Sequence, residues 1–296
     1  MMHEQQSELF NFDQCASCGL VFLNPRVPEA DLKQYYTSTY LPYRAEEAWG
    51  KYAGFVKREQ RNVDRKRVKR VKEYHPLTKT SRILDVGCGK PTFLAALQKD
   101  VPCQMLGLDF SDAGWVNEPE AFHGIQLRKG EIADLRGEQP VDVITMWHYL
   151  EHDYRPQHHL RQLLGIAHSD TRLIVEVPNF DSYTRRKFGK YWAGYHTPRH
   201  TALYSPKNIN ILFDKSGWQV ESTITYGTLA PYTLQWMSRM EEEQIDWSET
   251  MEPRFIGYVA GMIIHAPIYW WQHSFSMGFL TVVGRPKEGD RNALDS

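Results

Sequence analysis

Short apolar runs recur between residues 82 and 178, separated by stretches with helical periodicity. RILDVGC (82–88), QMLGLDF (104–110), VDVITMW (141–147) and RLIVEVP (172–178) each read as a buried strand. Thr92–Lys99 and Gln157–Ile166 fit between them as helices. Strands that alternate with helices predict a parallel sheet with right-handed crossovers. Strands this apolar belong in the middle of such a sheet, covered on both faces. Further along, Pro206–Ser216 reads as a helix closed by Gly217, and WQVESTITY (218–226) and GFLTVVGRP (278–286) as two more strands. Between these two strands lies an insertion, 228–276, with an acidic run at Glu241–Glu243 and an apolar stretch at Phe255–Trp271.

Upstream of the sheet, residues 46–75 read as one helix. Tyr52, Phe55, Val63, Val68 and Val71 fall roughly on one side. The other side carries Lys57, Arg58, Arg61, Arg65, Arg67, Lys69, Arg70 and Lys72, and the expectation is a solvated face. The alternative is a docking surface for anionic lipid or RNA. Residues 1–45 read as a separate small module, with Cys15 and Cys18 in a Cys-x-x-Cys knuckle followed by a short apolar run. The stretch 287–296 is polar and is expected to be loose.

Composition narrows this picture modestly. Hydrophobic residues make up 42% of the 296 positions and charged residues 24%, the balance of a soluble globular chain. A net charge of −1 supplies no global positive field to hold a phosphate backbone, so nucleic acid is not an expected partner. Nine Trp and sixteen Tyr, many of them after residue 183, point either to an aromatic pocket or to ordinary core packing. No basic segment followed by an apolar one opens the sequence, and only four cysteines occur, so a reducing cytoplasmic setting is the expectation. Phe255–Trp271 contains His265 and Pro267 and falls short of the roughly 20 apolar residues that a spanning helix needs. It is expected to be a buried helix, with peripheral membrane contact through 255–271 as the alternative.

The chemistry concentrates at Leu84-Asp85-Val86-Gly87-Cys88-Gly89. An acid at a strand end followed by glycines lets a backbone turn pass close to a nucleoside. Asp109 ends the next strand about twenty residues on, where a carboxylate can accept both ribose hydroxyls. An acid this early in the loop would repel a pyrophosphate but can pair with an amino group. That favours a sulfonium nucleoside over a dinucleotide.

With these residues in place, the chain resembles the class I S-adenosylmethionine-dependent methyltransferases. ILDVGCG resembles their first motif and GLDFSD their second. KGEIADL (129–135) is similar to the stretch whose acid reaches the adenine, and VDVITMWHYLEH (141–152) to the strand that ends beside the reacting methyl. RLIVEVPNF (172–180) resembles the fifth strand, and TPRHTALYSPKNINILFDKSGW (197–218) resembles the segment and helix after it. The likeness covers roughly 80–218 in order. It departs at Pro91, where the family usually has a third glycine. The resemblance implies an α/β fold with a Rossmann-like methyltransferase sheet, mostly parallel with an antiparallel last strand, helices on both faces and a small N-terminal ribbon remnant. It places a catalytic domain at 46–286 after a degenerate zinc-ribbon-like segment at 1–45. It implies S-adenosyl-L-methionine as cofactor, held by Asp85, Gly87, Cys88, Gly89, Asp109, Phe110, Glu131, Ile132 and Trp147.

Methyl transfer from a sulfonium needs alignment and exclusion of water, and a base only where the nucleophile holds a tightly bound proton. His148 and His152, four apart, and His196 and His200, also four apart, are the candidates for that role. No metal site is read from them, because neither pair has the glutamate directly after its first histidine that marks the metalloprotease helix. Cys15 and Cys18 make half of a zinc ribbon, with His3 the histidine nearby, and zinc is not expected there. The expected activity is methylation of oxygen or carbon on a small-molecule or lipid-like acceptor, by a cytoplasmic or membrane-peripheral enzyme. Two alternatives stay open: a non-catalytic protein that binds S-adenosylmethionine, and an RNA or protein methyltransferase.

Overall fold

The computed structural model describes residues 10–36, 44–272 and 275–288. His3, and all of the expected loose tail except Lys287 and Glu288, lie outside these residues.

Seven strands form the main sheet in the spatial order β5-β4-β3-β6-β7-β10-β9. They are β3 (Arg82–Val86), β4 (Gln104–Asp109), β5 (Gln126–Lys129), β6 (Val141–Trp147), β7 (Ala167–Pro178), β9 (Trp218–Ile224) and β10 (Phe279–Pro286). The pairs β5–β4, β4–β3, β3–β6 and β6–β7 are parallel. Strand β10 runs antiparallel to both its neighbours, β7 and β9. The apolar runs thus become the interior strands, as their composition requires. The edge strand β5 reads QLRK, half-exposed to exposed, and gives little apolar signal.

Helices cover both faces. On one face α1 (Ala53–Tyr74) and α2 (Thr92–Asp100) bury Val68, Val71, Phe93, Leu94 and Leu97 against Ile83, Val143 and Ile174. On the other, α3 (Pro156–Leu163) and α5 (Pro206–Lys215) bury Leu160, Leu163, Ile209 and Phe213 against Leu84, Ile144 and Val175. The short α4 (Tyr183–Phe188) precedes the segment that holds two of the candidate histidines. Helix α5 starts at Ser205, whose hydroxyl accepts from Asn208 N while the Asn208 side chain accepts from Ser205 N, a reciprocal cap.

A second, three-stranded sheet joins β1 (Phe12–Gln14), β2 (Val21–Leu23) and β8 (Ala202–Leu203). The Cys15–Cys18 turn closes the β1–β2 hairpin, and β2 pairs antiparallel with β8. The N-terminal hairpin therefore borrows a strand from the residues just past His200.

Helix α1 departs in part from its expected solvated face. Lys57, Arg58, Arg61, Arg65, Lys69 and Lys72 are exposed. Arg67 and Arg70 instead turn inward, their guanidinium groups 5.1 Å from the Trp147 ring and 5.4 Å from the Tyr226 ring. They lie four and seven residues after buried Val63, on the stripe that faces the sheet, where each meets an aromatic face and a carboxylate, Asp64 4.0 Å from Arg67 and Glu73 3.7 Å from Arg70.

The insertion forms α6 (Pro231–Glu242), α7 (Phe255–Ile264) and α8 (Ile268–Trp271). Tyr232, Trp236 and Met240 of α6 pack with Trp49, Trp247 and Met251 as a separate aromatic cluster. The reading of 255–271 as a buried helix does not hold. Ile256 is 73% exposed, Ile263 68%, Ile264 72%, Trp270 79% and Trp271 63%. The segment is apolar all round, so one side suffices to cover α6 and the other faces outward. No helix of the described residues is long and apolar enough to cross a membrane.

Candidate functional site

The parallel strands β3, β4 and β6 end on one edge of the sheet, and the sequence motifs meet there. After Val86 the chain turns at Gly87, with φ of 72°. Gly87 N and Cys88 N both donate to Leu108 O, at 2.8 and 3.1 Å. A Cβ on Gly87 would come within 2.4 Å of the Tyr149 ring, so glycine is required on steric as well as dihedral grounds. Gly89 also takes a left-handed φ, 49°, but a Cβ there would meet nothing within 4 Å. The space in its side-chain direction is open. Pro91 occupies the N-cap position of α2, where a missing N–H interrupts no helical hydrogen bond.

Asp109 closes β4 and ties this loop down. Its Oδ2 accepts from Gly89 N and its Oδ1 from Ser111 N, both at 2.9 Å. Burial raises its pKa against the pull of these two bonds. Phe110, 48% exposed, lies beside it with its ring 5.9 Å from that of Tyr36. An open glycine turn, laced to a carboxylate at the next strand end, fits a nucleoside with its ribose at Asp109.

The remaining expected contacts differ in burial and in what holds them. Asp85 is buried, accepts from Thr145 Oγ1 at 2.6 Å, and is pushed up to about 7 chiefly by burial. Cys88 is buried and its thiol is raised by burial first, so it stays protonated. Glu131 is exposed and forms a capping box with Asp134, at the start of a short 3-10 turn that buries Ile132. Trp147 is buried edge-on against Phe93, its ring carrying Arg67. Its indole N–H has no hydrogen-bond partner among the described residues.

The four histidines converge, although they come from two loops about fifty residues apart. His148 has φ of 58° and His196 φ of 37°, left-handed values that cost free energy in residues other than glycine. The ring centroids of His152 and His200 are 4.6 Å apart, and those of His196 and His200 4.8 Å. Tyr36 links the cluster to the nucleoside edge: its hydroxyl lies 3.2 Å from His152 Nδ1.

Their environments split these residues into two kinds. His148 sits between two carboxylates, with Nε2 3.1 Å from Glu176 Oε1 and Nδ1 3.6 Å from Glu151 Oε1. Burial alone would lower its pKa, but bonds to Glu151 and Glu176 overcome this and raise it to about 9. His200, His196 and His152 are lowered, in each case by burial first, His200 to about 3. At neutral pH His148 is an imidazolium and the other three are neutral imidazoles.

Glu176 is the residue that the motif reading passed over. It is fully buried on β7. It accepts from Thr228 N at 2.7 Å, Thr228 Oγ1 at 2.9 Å and Thr281 Oγ1 at 3.3 Å. Burial would raise its pKa, but the His148 bond and charge hold it below the usual carboxylate range. A single acid inside the apolar run Leu173–Val177 is the signal that could have marked it.

At the N-terminal knuckle, Cys15 Sγ lies 3.1 Å from Ser17 Oγ, and this bond leads the causes that lower its pKa to about 6.

The sheet order, the glycine turn and the carboxylate at the second strand end define a class I methyltransferase domain. A family model described as a methyltransferase domain matches residues 55–223, more than half of the chain, and the chain belongs to that family. A protein of Mycolicibacterium smegmatis, named as a probable S-adenosylmethionine-dependent methyltransferase, is 23% identical over 143 residues. That match takes in 48% of this chain and 53% of the relative, so the chain spans about half the relative's length. Among solved structures, a mycolic acid cyclopropane synthase in complex with SAH and CTAB superposes with a TM-score of 0.52 at 14% identity, over 75% of this chain and 83% of that one. The [4+2]-cyclase SpnF gives 0.52 at 17% identity, over 76% and 82%. Both share the fold. That one of them is named a cyclase shows that the fold alone does not fix the reaction.

Proposed function

We propose that this chain transfers a methyl group from S-adenosylmethionine to oxygen or carbon of a small or amphipathic organic acceptor. The observation that carries the reading is the Gly89–Asp109 arrangement: an open left-handed glycine whose N–H is held 2.9 Å from the carboxylate at the neighbouring strand end. When bound, the cofactor supplies a methyl on a positively charged sulfur that leaves as a neutral thioether. Asp85, Gly87, Cys88, Gly89, Asp109, Phe110, Ile132 and Trp147 line or back its place. Glu131, exposed and held by its backbone N–H on Asp134 Oδ2 at 2.8 Å, takes the adenine in this reading together with Phe110.

His148, His152, His196 and His200 border the acceptor side in this reading and orient it. They are poor general bases at neutral pH: His148 already holds its proton, and His200 takes one only near pH 3. Such a site suits acceptors that need little base, namely acidic hydroxyls or stabilised carbon nucleophiles.

The outward apolar side of α7 and α8 supports a lipid-like acceptor met at a bilayer surface. Leaving Ile256, Ile263, Ile264 and Trp270 in water forgoes about 1.5–3 kcal/mol for each side chain. Beside them a groove of about 400 Å³ is lined by Phe55, Arg58, Tyr232, Met262 and Ile263, so cationic α1 borders the apolar surface. Anionic vesicles should carry the protein upward in a flotation gradient, and Ile263→Asp/Ile264→Asp should leave it at the bottom.

The function is tested by calorimetry with S-adenosylmethionine and S-adenosylhomocysteine, followed by incorporation of labelled methyl into a cell extract. Absence of heat with both nucleosides would overturn the reading. Heat without incorporation would favour a binding protein, and label in RNA or protein would overturn the acceptor class.

A further inference from the structure

Glu151, His152 and His200 each offer one ligand atom, and these atoms all lie within 4.8 Å of one another. Two features of this trio bear on what it can hold. The first is Glu151 Oε2, which is buried and has no hydrogen-bond partner there, on a side chain only 2% exposed. His148 reaches the other oxygen, Oε1. An ionised oxygen kept from water and from any donor is costly unless a cation meets it.

The second is the direction of the imidazole lone pairs. His200 Nδ1 lies 2.8 Å from the Gly194 carbonyl, which can only accept, so that nitrogen carries the proton and Nε2 carries the lone pair, with His196 Nδ1 3.3 Å away as a donor that a metal ion would displace. His152 Nδ1 lies 3.2 Å from both the Arg199 carbonyl and the Tyr36 hydroxyl, and a proton on Nδ1 satisfies both as acceptors and leaves Nε2 to ligate. A backbone carbonyl on one ring nitrogen, with the other nitrogen turned to a shared centre, is how proteins set histidine to ligate. His200 Nε2 faces Glu151 Oε1 at 3.9 Å.

We propose that Glu151, His152 and His200 bind a divalent first-row transition-metal ion of the zinc type. Two imidazole nitrogens and a carboxylate suit zinc and its neighbours and disfavour calcium and magnesium, which take oxygen. Tetrahedral zinc with bonds of about 2.0–2.1 Å sets its ligand atoms roughly 3.3 Å apart, so side-chain rotation closing the edges by up to about 1.5 Å completes the site. Three protein ligands leave a fourth position for water or an acceptor oxygen, the pattern of a working rather than a purely structural metal. The inference rests on this ligand set alone and stands whether or not the chain transfers methyl groups.

The test uses the full chain carrying Cys15→Ser and Cys18→Ser, so that no thiolate at the knuckle takes up metal. After treatment with a chelator, the protein is titrated with Zn²⁺ by calorimetry and with Co²⁺ by visible absorption. The expected result is one ion per chain, with cobalt bands of a nitrogen and oxygen site and no sulfur charge-transfer band. Glu151→Gln and His200→Asn should each weaken uptake by at least about ten-fold. Cobalt should also shift the ring-proton NMR signals of His152 and His200 in the chain that retains all three ligands, a readout needing no variant at the buried trio. An unchanged circular dichroism spectrum and a cooperative unfolding transition serve as the checks that each variant is folded. The proposal is overturned if several-fold excess of either ion gives no binding, or if folded Glu151→Gln and His200→Asn bind as tightly as the parent.

Discussion

Replacing Glu176 by Gln removes one of the two carboxylates, Glu151 and Glu176, that keep His148 protonated. The side chains are nearly isosteric, so packing on β7 is preserved. What changes is the anion 3.1 Å from His148 Nε2 and the acceptor met by Thr228 N at 2.7 Å. His148 is raised from 6.5 to about 9 in the fold, by bonds and charges that outweigh its burial. At about 1.36 kcal/mol per pKa unit this is of order 3 kcal/mol of stability. Because the folded pKa lies above the unfolded one, that stability is fully present below pH 6.5 and is lost as pH rises through about 9. Glu176→Gln should therefore cost about 3–5 kcal/mol near neutral pH, as expected when one partner of a buried pair is removed, and should flatten the decline toward pH 9. The assay is urea unfolding across this range in a Cys15→Ser background, since the lowered Cys15 titrates in the same window with the opposite sign. NMR titration of the His148 ring protons gives the pKa directly. A His148 that titrates near 6.5 in the parent, or equal pH profiles for parent and variant, would refute the reasoning.

Asp109→Ala removes the acceptor for both Gly89 N and Ser111 N, and S-adenosylhomocysteine binding should fall below detection by calorimetry while circular dichroism stays unchanged. Gly87→Ala drives a Cβ into Tyr149 at a left-handed φ, and denaturant titration should show a loss of at least about 1 kcal/mol, with weakened nucleoside affinity. At pH 7 iodoacetamide followed by peptide mass spectrometry should find Cys15 modified first, since its pKa near 6 makes it a thiolate, and Cys88 last, since burial keeps it a protonated thiol.

The interior of the sheet was legible because β3, β4, β6, β7 and β10 are apolar on both faces, and a run such as Val141–Trp147 has no other stable place. Strand β5 was missed because QLRK at an edge carries no such pattern, and β8 because two residues are too few to show one. The edge where we propose that the nucleoside lies shows in the sequence as an acid–glycine turn followed by a second acid at strand spacing. The histidines were visible as two pairs. That they form one cluster with opposed charge states depends on Glu176, contributed by a strand between them in sequence, and on burial that no local window reports. Hydropathy misjudged Phe255–Trp271 for a related reason: it measures how far side chains avoid water, not whether the fold offers them anything to cover. The inward turn of Arg67 and Arg70 depends in the same way on distant rings, those of Trp147 and Tyr226.

The position of β10 has a consequence for how the protein is made. It is the last strand of the seven-stranded sheet to leave the ribosome, yet it fills an internal slot, pairing Val282 with Val175 on one side and with Thr223 on the other. Until it arrives, β7 and β9 each present a bare strand edge, open to unwanted pairing with other nascent chains. Translation of the 228–276 insertion, at about 5–20 residues per second, prolongs that interval by several seconds. A chain that stalls or is clipped before residue 279 keeps the nucleoside loop and loses the strand that seals the sheet.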